Sequence, residues 1–238
     1  MKFNIVTIFP DIIADYGNES ILGRAQKNKL IKINAINLRD FTADKRKTVD
    51  DTPYGGGAGM VMKPEPIFEA LKRLKALKQN KQSKQSKQSK LTILLSPRGK
   101  QFDQHMAEEF AKLDEITFVC GRYEGVDQRV SDYMVDEEIS VGPYVLAGGE
   151  LGALIITEAV SRLLPGVLGN KESLAEETHN IKTFQPEAGQ PLAEKHKNIK
   201  TIKEYPQYTK PDKFKKWKVP DVLLSGNHQK INEWRKNI

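Results

Sequence analysis

Short apolar runs and amphipathic stretches alternate along the chain, with glycine-rich breaks between them. FNIVTIF, Phe3 to Phe9, reads as a strand; a helical stretch to about Asn28 follows, then a second strand near LIKINAI. Ile67, Leu71, Leu74 and Leu77 recur at helical spacing, entered through Pro64 and Pro66, whose missing N–H groups cost little in a first turn. Three later strands each run into a glycine loop: LTILL (91–95) into SPRGK, ITFVC (116–120) into GRYEG, and EEIS (137–140) into VGPYVLAGGE. Helices are expected near Phe102–Leu113, Val126–Tyr133 and Leu151–Leu164. Strands alternating with helices predict an α/β fold with a mostly parallel sheet, and in such sheets ligands sit outside the carboxyl ends of the strands. All three glycine loops fall at such ends. Any one of them is ordinary turn chemistry; three in succession point to a binding crevice that backbone can approach closely. Neither G-x-G-x-x-G nor G-x-x-x-x-G-K-[ST] is present, so the crevice is not an ordinary dinucleotide or P-loop grip.

KQNKQSKQSKQSK breaks the alternation with a Gln-Ser-Lys triplet repeated from Gln82 to Lys90. It cannot bury enough apolar area to offset the cost of ordering, so a disordered insert is expected at about 78–90. The net charge of +7 is uneven: Lys78–Lys90 holds five lysines and no acid, and Lys195–Lys218 holds nine against Glu204 and Asp212. The rest of the chain is therefore net acidic. An acidic body with basic patches suits a polyanion held at defined places, although lysine runs are also ordinary solvated surface. At 238 residues a core domain plus a smaller unit is expected. No apolar run approaches the roughly 20 residues needed to span a bilayer, and Met1 leads straight into a strand, which predicts a cytoplasmic protein with no membrane partner. Cys120, a lone cysteine, is expected to pack. His105, His179, His196 and His228 lack metal-ligand spacing, so no structural metal site is expected.

Specific motifs add a resemblance. DYGNESILGRA, KTVDDTPYGGGAGMVMKPEP, LLSPRGKQF, FVCGRYEGVDQRV, SVGPYVLAGGELGALIITEAVSRLLPGVLGN and VLLSGNHQKINEWR closely resemble, in order, the bacterial tRNA (guanine-N1)-methyltransferases (TrmD-type) of the SPOUT class. The resemblance implies a deep trefoil knot, a homodimer with active sites at the subunit interface, and a small helical C-terminal domain. It implies S-adenosylmethionine as methyl donor, an association with Mg²⁺, and N1 of the guanosine immediately 3′ of the anticodon in tRNA as acceptor. Ser96, Pro97, Gly121, Val141, Gly142, Pro143, Tyr144, Val145, Leu146, Gly148 and Gly149 would line the donor pocket, with Asp50 and Glu124 at the target guanine. Arg162 would offset charge at O6, and Glu177 would take the N1 proton, with Glu176 the second candidate. The implied domains are 1–169 for donor binding and catalysis, 170–203 as a linker, and 204–238 for tRNA.

Each residue also has a plainer reading. Arg162 follows Glu158 by four residues, an order that suits a helical ion pair; Glu124 could be a solvated loop carboxylate, and Asp50 beside Asp51 could cap a turn. As a whole the chain could be a non-catalytic RNA-binding module, or a related knotted methyltransferase acting on another RNA. Four features depart from the family pattern: Pro143 stands where an Asp is usual, Glu177 in SLAEETH likewise stands where an Asp is usual, the chain from His179 to Tyr205 is longer, and Ile238 comes soon after SGNHQKINEWR, where relatives continue. The basic segment is expected to compensate. Replacing Lys210, Lys213, Lys215, Lys216 and Lys218 by neutral residues should weaken tRNA binding and flatten the log–log salt slope by about 0.9 per lost duplex phosphate contact. An unchanged slope would mark them as solvated surface only.

Overall fold

A computed structural model describes residues 1–56, 58–78, 89–168, 206, 208–209, 212–214 and 217–236. The chain divides into two compact units, Met1–Gly169 and Asn170–Ile238. The first holds strands β1 (Lys2–Thr7), β2 (Lys32–Asn37), β3 (Asp50–Asp51), β4 (Val61–Met62), β5 (Lys90–Gln101), β6 (Glu115–Cys120) and β7 (Glu137–Ser140). Five of them form one sheet in the order β2-β1-β6-β5-β7, with every neighbouring pair parallel. This is the α/β architecture that the alternating pattern predicts.

Helices cover both faces, which is why β6 is buried along its whole length. Side-chain alternation sorts the core. Phe3, Ile5, Ile93, Ile116 and Phe118 pack on one face against α1 (Pro10–Gly17), α2 (Ser20–Lys27), α4 (Gln104–Phe110) and α6 (Glu150–Arg162). Val6, Leu94 and Val119 point the other way, to α3 (Pro64–Leu74) and α5 (Gln128–Tyr133). On that second face the sheet's amino ends carry polar groups: buried Asn4 donates to Glu115 at 2.7 Å, and Lys2 and Lys90 pair with the same carboxylate at 3.6 and 3.3 Å.

The structure departs from the sequence reading in four places. The single helical stretch expected up to Asn28 is two helices, turned at Asn18, whose carbonyl comes so close to Gly23 that a Cβ there would lie 2.0 Å from it. SPRGK is not a free loop. Strand β5 runs through it, so that Leu95 and Lys100 both lie opposite Ile139 of β7, with a bulge between them. The antiparallel pair β3–β4 was not predicted, since two residues per strand leave no alternation to read. The ends of the lysine-rich stretch are built into the fold: Lys78 donates its N–H to Met134, and Lys90 begins β5. Residues 79–88 lie outside the described residues.

The second unit contains a two-stranded hairpin, β8 (Lys213–Phe214) and β9 (Trp217–Lys218), and helices α7 (Asp221–Leu224) and α8 (His228–Lys236). The rings of Tyr208 and Trp234 lie 6.4 Å apart.

Gly99 permits the double pairing of β5, because a Cβ there would sit 2.4 Å from the Ile139 nitrogen. Gly99→Ala is expected to destabilise by about 1–3 kcal/mol. Thermal melting should fall by roughly 2–4 °C per kcal/mol, and an unshifted melt would show that the two strands are not pressed together there.

Candidate active site

The bulged stretch within β5 and the loops after β6 and β7 close around one cavity of about 450 Å³. That is the size of a small-molecule site, at the strand ends where open α/β sheets bind ligands. Of the residues predicted for a donor pocket, Ser96, Pro97, Gly121, Val141, Tyr144, Val145, Leu146, Gly148 and Gly149 line it, whereas Gly142 and Pro143 do not. Gly142 instead shapes the loop. Its carbonyl accepts from the Ser140 hydroxyl at 3.0 Å and from the Tyr144 N–H at 2.9 Å, and the Tyr144 ring folds back so that a Cβ would meet it at 2.3 Å. Pro143 is exposed.

Gly149 joins two of the walls. Its N–H donates to the Gly121 carbonyl at 2.9 Å, and a Cβ on it would lie 2.8 Å from the Cys120 Cα. Main chain therefore packs on main chain. Cys120 beneath is buried, and that burial, followed by the nearby Glu150 carboxylate, pushes its thiol pKa well up. It packs, as expected.

Glu124 stands in the cavity wall within a constrained turn. Tyr123 before it has φ +60, a left-handed conformation that an aromatic residue adopts only at a cost. The Glu124 N–H donates to the Met60 carbonyl at 3.0 Å, and the Met62 N–H to the Gly125 carbonyl at 2.9 Å, so the β3–β4 hairpin is sewn onto this loop. Gly59, at φ +82, makes room for the Glu124 side chain; a Cβ there would be 2.7 Å from Oε1. Asp50 lies in β3 opposite Met62 but does not line the cavity. The local capping falls to Asp51, which accepts from the Thr52 N–H at 2.8 Å.

Arg162 lies elsewhere, at the end of α6, lining a separate groove with Tyr16, Leu151, Leu154, Ile155 and Glu158. Glu158 accepts from the Tyr16 hydroxyl, and that bond to a carboxylate raises the Tyr16 pKa. Glu176 and Glu177 lie outside the described residues. Sequence reasoning looked to the two lysine-rich segments for positive charge and passed over Arg98 and Arg122, which both line the cavity. The signal was there in SPRGK and GRYEG, each of which carries its own arginine. Among the described residues, no three His, Cys, Asp or Glu side chains are grouped to hold a metal ion, and no helix is long and apolar enough to cross a membrane.

Comparison with known proteins gives the same direction as the site. The family model described as tRNA (Guanine-1)-methyltransferase TrmD matches residues 1–238. The chain belongs to that family. Curated relatives named tRNA (guanine-N(1)-)-methyltransferase include one from Dictyoglomus turgidum, 49% identical over 99% of this chain and 84% of its own length. Another, from Desulfitobacterium hafniense, is 47% identical over 99% of this chain and 79% of its own. A third, from Lactiplantibacillus plantarum, is 45% identical over 99% and 84%. The enzyme is thus a tRNA-methylating transferase, and the cavity is where its chemistry should be sought.

Gly59→Ala tests the contact between hairpin and loop. Strained at φ +82 and pressed against Oε1 of Glu124, the new Cβ must displace that carboxylate. At a displacement of about 1 Å, transfer to tRNA is expected to slow roughly 10²-fold. Donor affinity, measured by calorimetry, should be little changed; equal losses of both would place the damage in the cavity as a whole.

Proposed function

We propose that the cavity holds S-adenosylmethionine and that its methyl group goes to N1 of the guanosine immediately 3′ of the anticodon in tRNA. The observation that carries this reading is one glycine-walled cavity formed by the bulge of β5 and the loops after β6 and β7, with Glu124 in its wall. Glycine walls let main-chain amides and carbonyls reach a ligand directly. Tyr144, Val145 and Leu146 are 51%, 84% and 36% exposed, an apolar loop that a bound adenosine would cover.

The donor supplies a methyl group on a sulfonium, so this chain's residues need only align, deprotonate and neutralise charge. Alignment can contribute roughly 7–11 kcal/mol of the barrier. Glu124 accepts hydrogen bonds from guanine N1–H or N2–H₂, a pattern that adenine lacks, and Asp50 backs it from β3. Glu177 takes the N1 proton as the N–C bond forms and the S–C bond breaks. Negative charge then moves toward O6, where Arg162 offsets it.

The same reading makes the protein a homodimer with its sites at the subunit interface. Phe9, Ile12 and Tyr16 by or on α1, and Leu151 and Ile155 on α6, leave large apolar side chains exposed, which supports a second copy covering this face. Arg162 lies in that face, so in the dimer it serves the partner's cavity. Threading is part of the proposal too. Ile139 is flanked by both Leu95 and Lys100, and Gly149 returns to Cys120 and Leu95; both features suit a deep trefoil knot. Residues 204–238 would grip tRNA, with 170–203 as linker, in the cytoplasm.

Glu177 stands where the resemblance calls for aspartate. It keeps the carboxylate charge, but its extra methylene moves the carboxylate by up to about 1.5 Å. Glu177→Gln is expected to slow single-turnover transfer from labelled donor to unmodified tRNA by at least about 10², with donor affinity unchanged. A rate near wild type would overturn its role as base. No transfer by the parent protein to a tRNA with guanosine at the target, relative to one with adenosine, would overturn the reading itself.

A further inference from the structure

A buried carboxylate that the proposed reaction does not use ties the donor wall to the guanine-side loop. Glu150, the first residue of α6, is 1% exposed. Its Oε1 accepts from the Thr7 hydroxyl at 2.6 Å and its Oε2 from Arg122 Nε at 3.0 Å. Thr7 is anchored in turn, since its hydroxyl oxygen accepts from the Phe9 N–H at 2.9 Å, and the Arg122 guanidinium lies 4.6 Å above the centre of the Phe9 ring. Gly148 leaves the space for this, because a Cβ there would sit 2.1 Å from Arg122 Nε. A helix amino end favours an acid whether or not it is buried, so the helix alone does not explain why Glu150 is sealed from water with both oxygens engaged.

Arg122 explains it. It lies between Gly121, whose carbonyl is held by Gly149, and Glu124, whose N–H is held by Met60. Tyr123, at φ +60, is the strained link in that span, and such a link persists only where its surroundings determine it. We propose that Glu150 is a positioning residue: through Arg122 it fixes the Tyr123 turn and with it the Glu124 carboxylate, so that selectivity for guanine depends on a side chain that never touches guanine. This rests on the assignment of Glu124 to the target base.

The test uses the full-length enzyme and two tRNAs that differ only in guanosine or inosine at the methylated position. Glu177 takes the N1 proton, so the bond left to Glu124 is that from N2–H₂; inosine lacks the 2-amino group, and the ratio of single-turnover rates at saturating donor therefore reports that bond. A hydrogen bond to a charged group is worth roughly tenfold or more in such a ratio. Glu150→Gln keeps the shape and the Thr7 bond while removing the charge that holds Arg122. It is expected to reduce the guanosine-to-inosine ratio at least about fivefold, with donor affinity within about threefold of wild type. Arg122→Lys, which keeps a positive charge but loses Nε, should reduce the guanosine-to-inosine ratio likewise, and the double variant's ratio should be little worse than that of either single one, as for groups acting as one unit. Should Glu150→Gln fail to fold, Arg122→Lys at its more exposed position carries the test. A wild-type ratio in Glu150→Gln alongside a collapsed ratio in Glu124→Met, whose side chain offers no amide or carboxylate oxygen, overturns the positioning role alone, whatever the melting temperature. A ratio that survives Glu124→Met overturns the assignment of that residue, and the route through it falls as well.

Discussion

The architecture of the site turns on the engagement of β5 with β7 at two places. Ile139 has Leu95 on one stretch of β5 and Lys100 on the next as its sheet partners. The intervening turn cannot leave the sheet, because its second half must return to pair, so Ser96, Pro97 and Arg98 are held as the first wall of the cavity. The loop after β7 then has one way to go, across the end of β6, where Gly149 meets Gly121 and Cys120. Parallel strands ending at one level bring three loops together, and the bulge in β5 converts that adjacency into an enclosure.

Charge is distributed along the sheet by the same logic. At the amino ends, Glu115 is met by Asn4, Lys2 and Lys90, and their role there is to close the fold. At the carboxyl ends the ionic groups are Glu150, sealed from water, its partly exposed partner Arg122, and Arg98, close to Glu138 at 3.6 Å. A buried ion pair is a weak source of stability, since desolvation offsets most of its attraction, but losing one partner costs roughly 3–5 kcal/mol. Such a pair specifies geometry more than it adds stability, which is what a loop containing a strained tyrosine needs.

Much of this was legible in the sequence, for reasons that can be named. Strands such as LTILL and ITFVC are short, apolar and bounded by glycine, and a strand covered on both faces has that appearance. Nine of the eleven residues that the resemblance names for a donor pocket line the cavity; the glycine loops by themselves pointed only to a crevice at the strand ends, because glycine marks where backbone can approach closely. Other features were not legible. The β3–β4 pair is too short for a period, and it exists only because Met62 and Met60 bond to the loop of Glu124. SPRGK looked like a loop since its proline and glycine are turn residues, and only the distant Ile139 makes it strand. Nothing local to Gly-Gly-Glu singles out Glu150; its burial depends on Thr7 and Arg122, far apart in sequence.

The wall formed where Gly149 lies on Gly121 has a consequence for how this protein could respond to an inhibitor that occupies the cavity. A pocket walled by side chains can exclude an inhibitor by exchanging one of them. Here the close surfaces are main chain, and a Cβ at Gly149 would strike the Cys120 backbone at 2.8 Å. Amides and carbonyls are the same whatever the residue, so a molecule that bonds to them presents the gene with few single substitutions that reject it and still leave a folded enzyme. Resistance would have to arise at the exposed rim, at Tyr144 or Val145, where side chains are free to change.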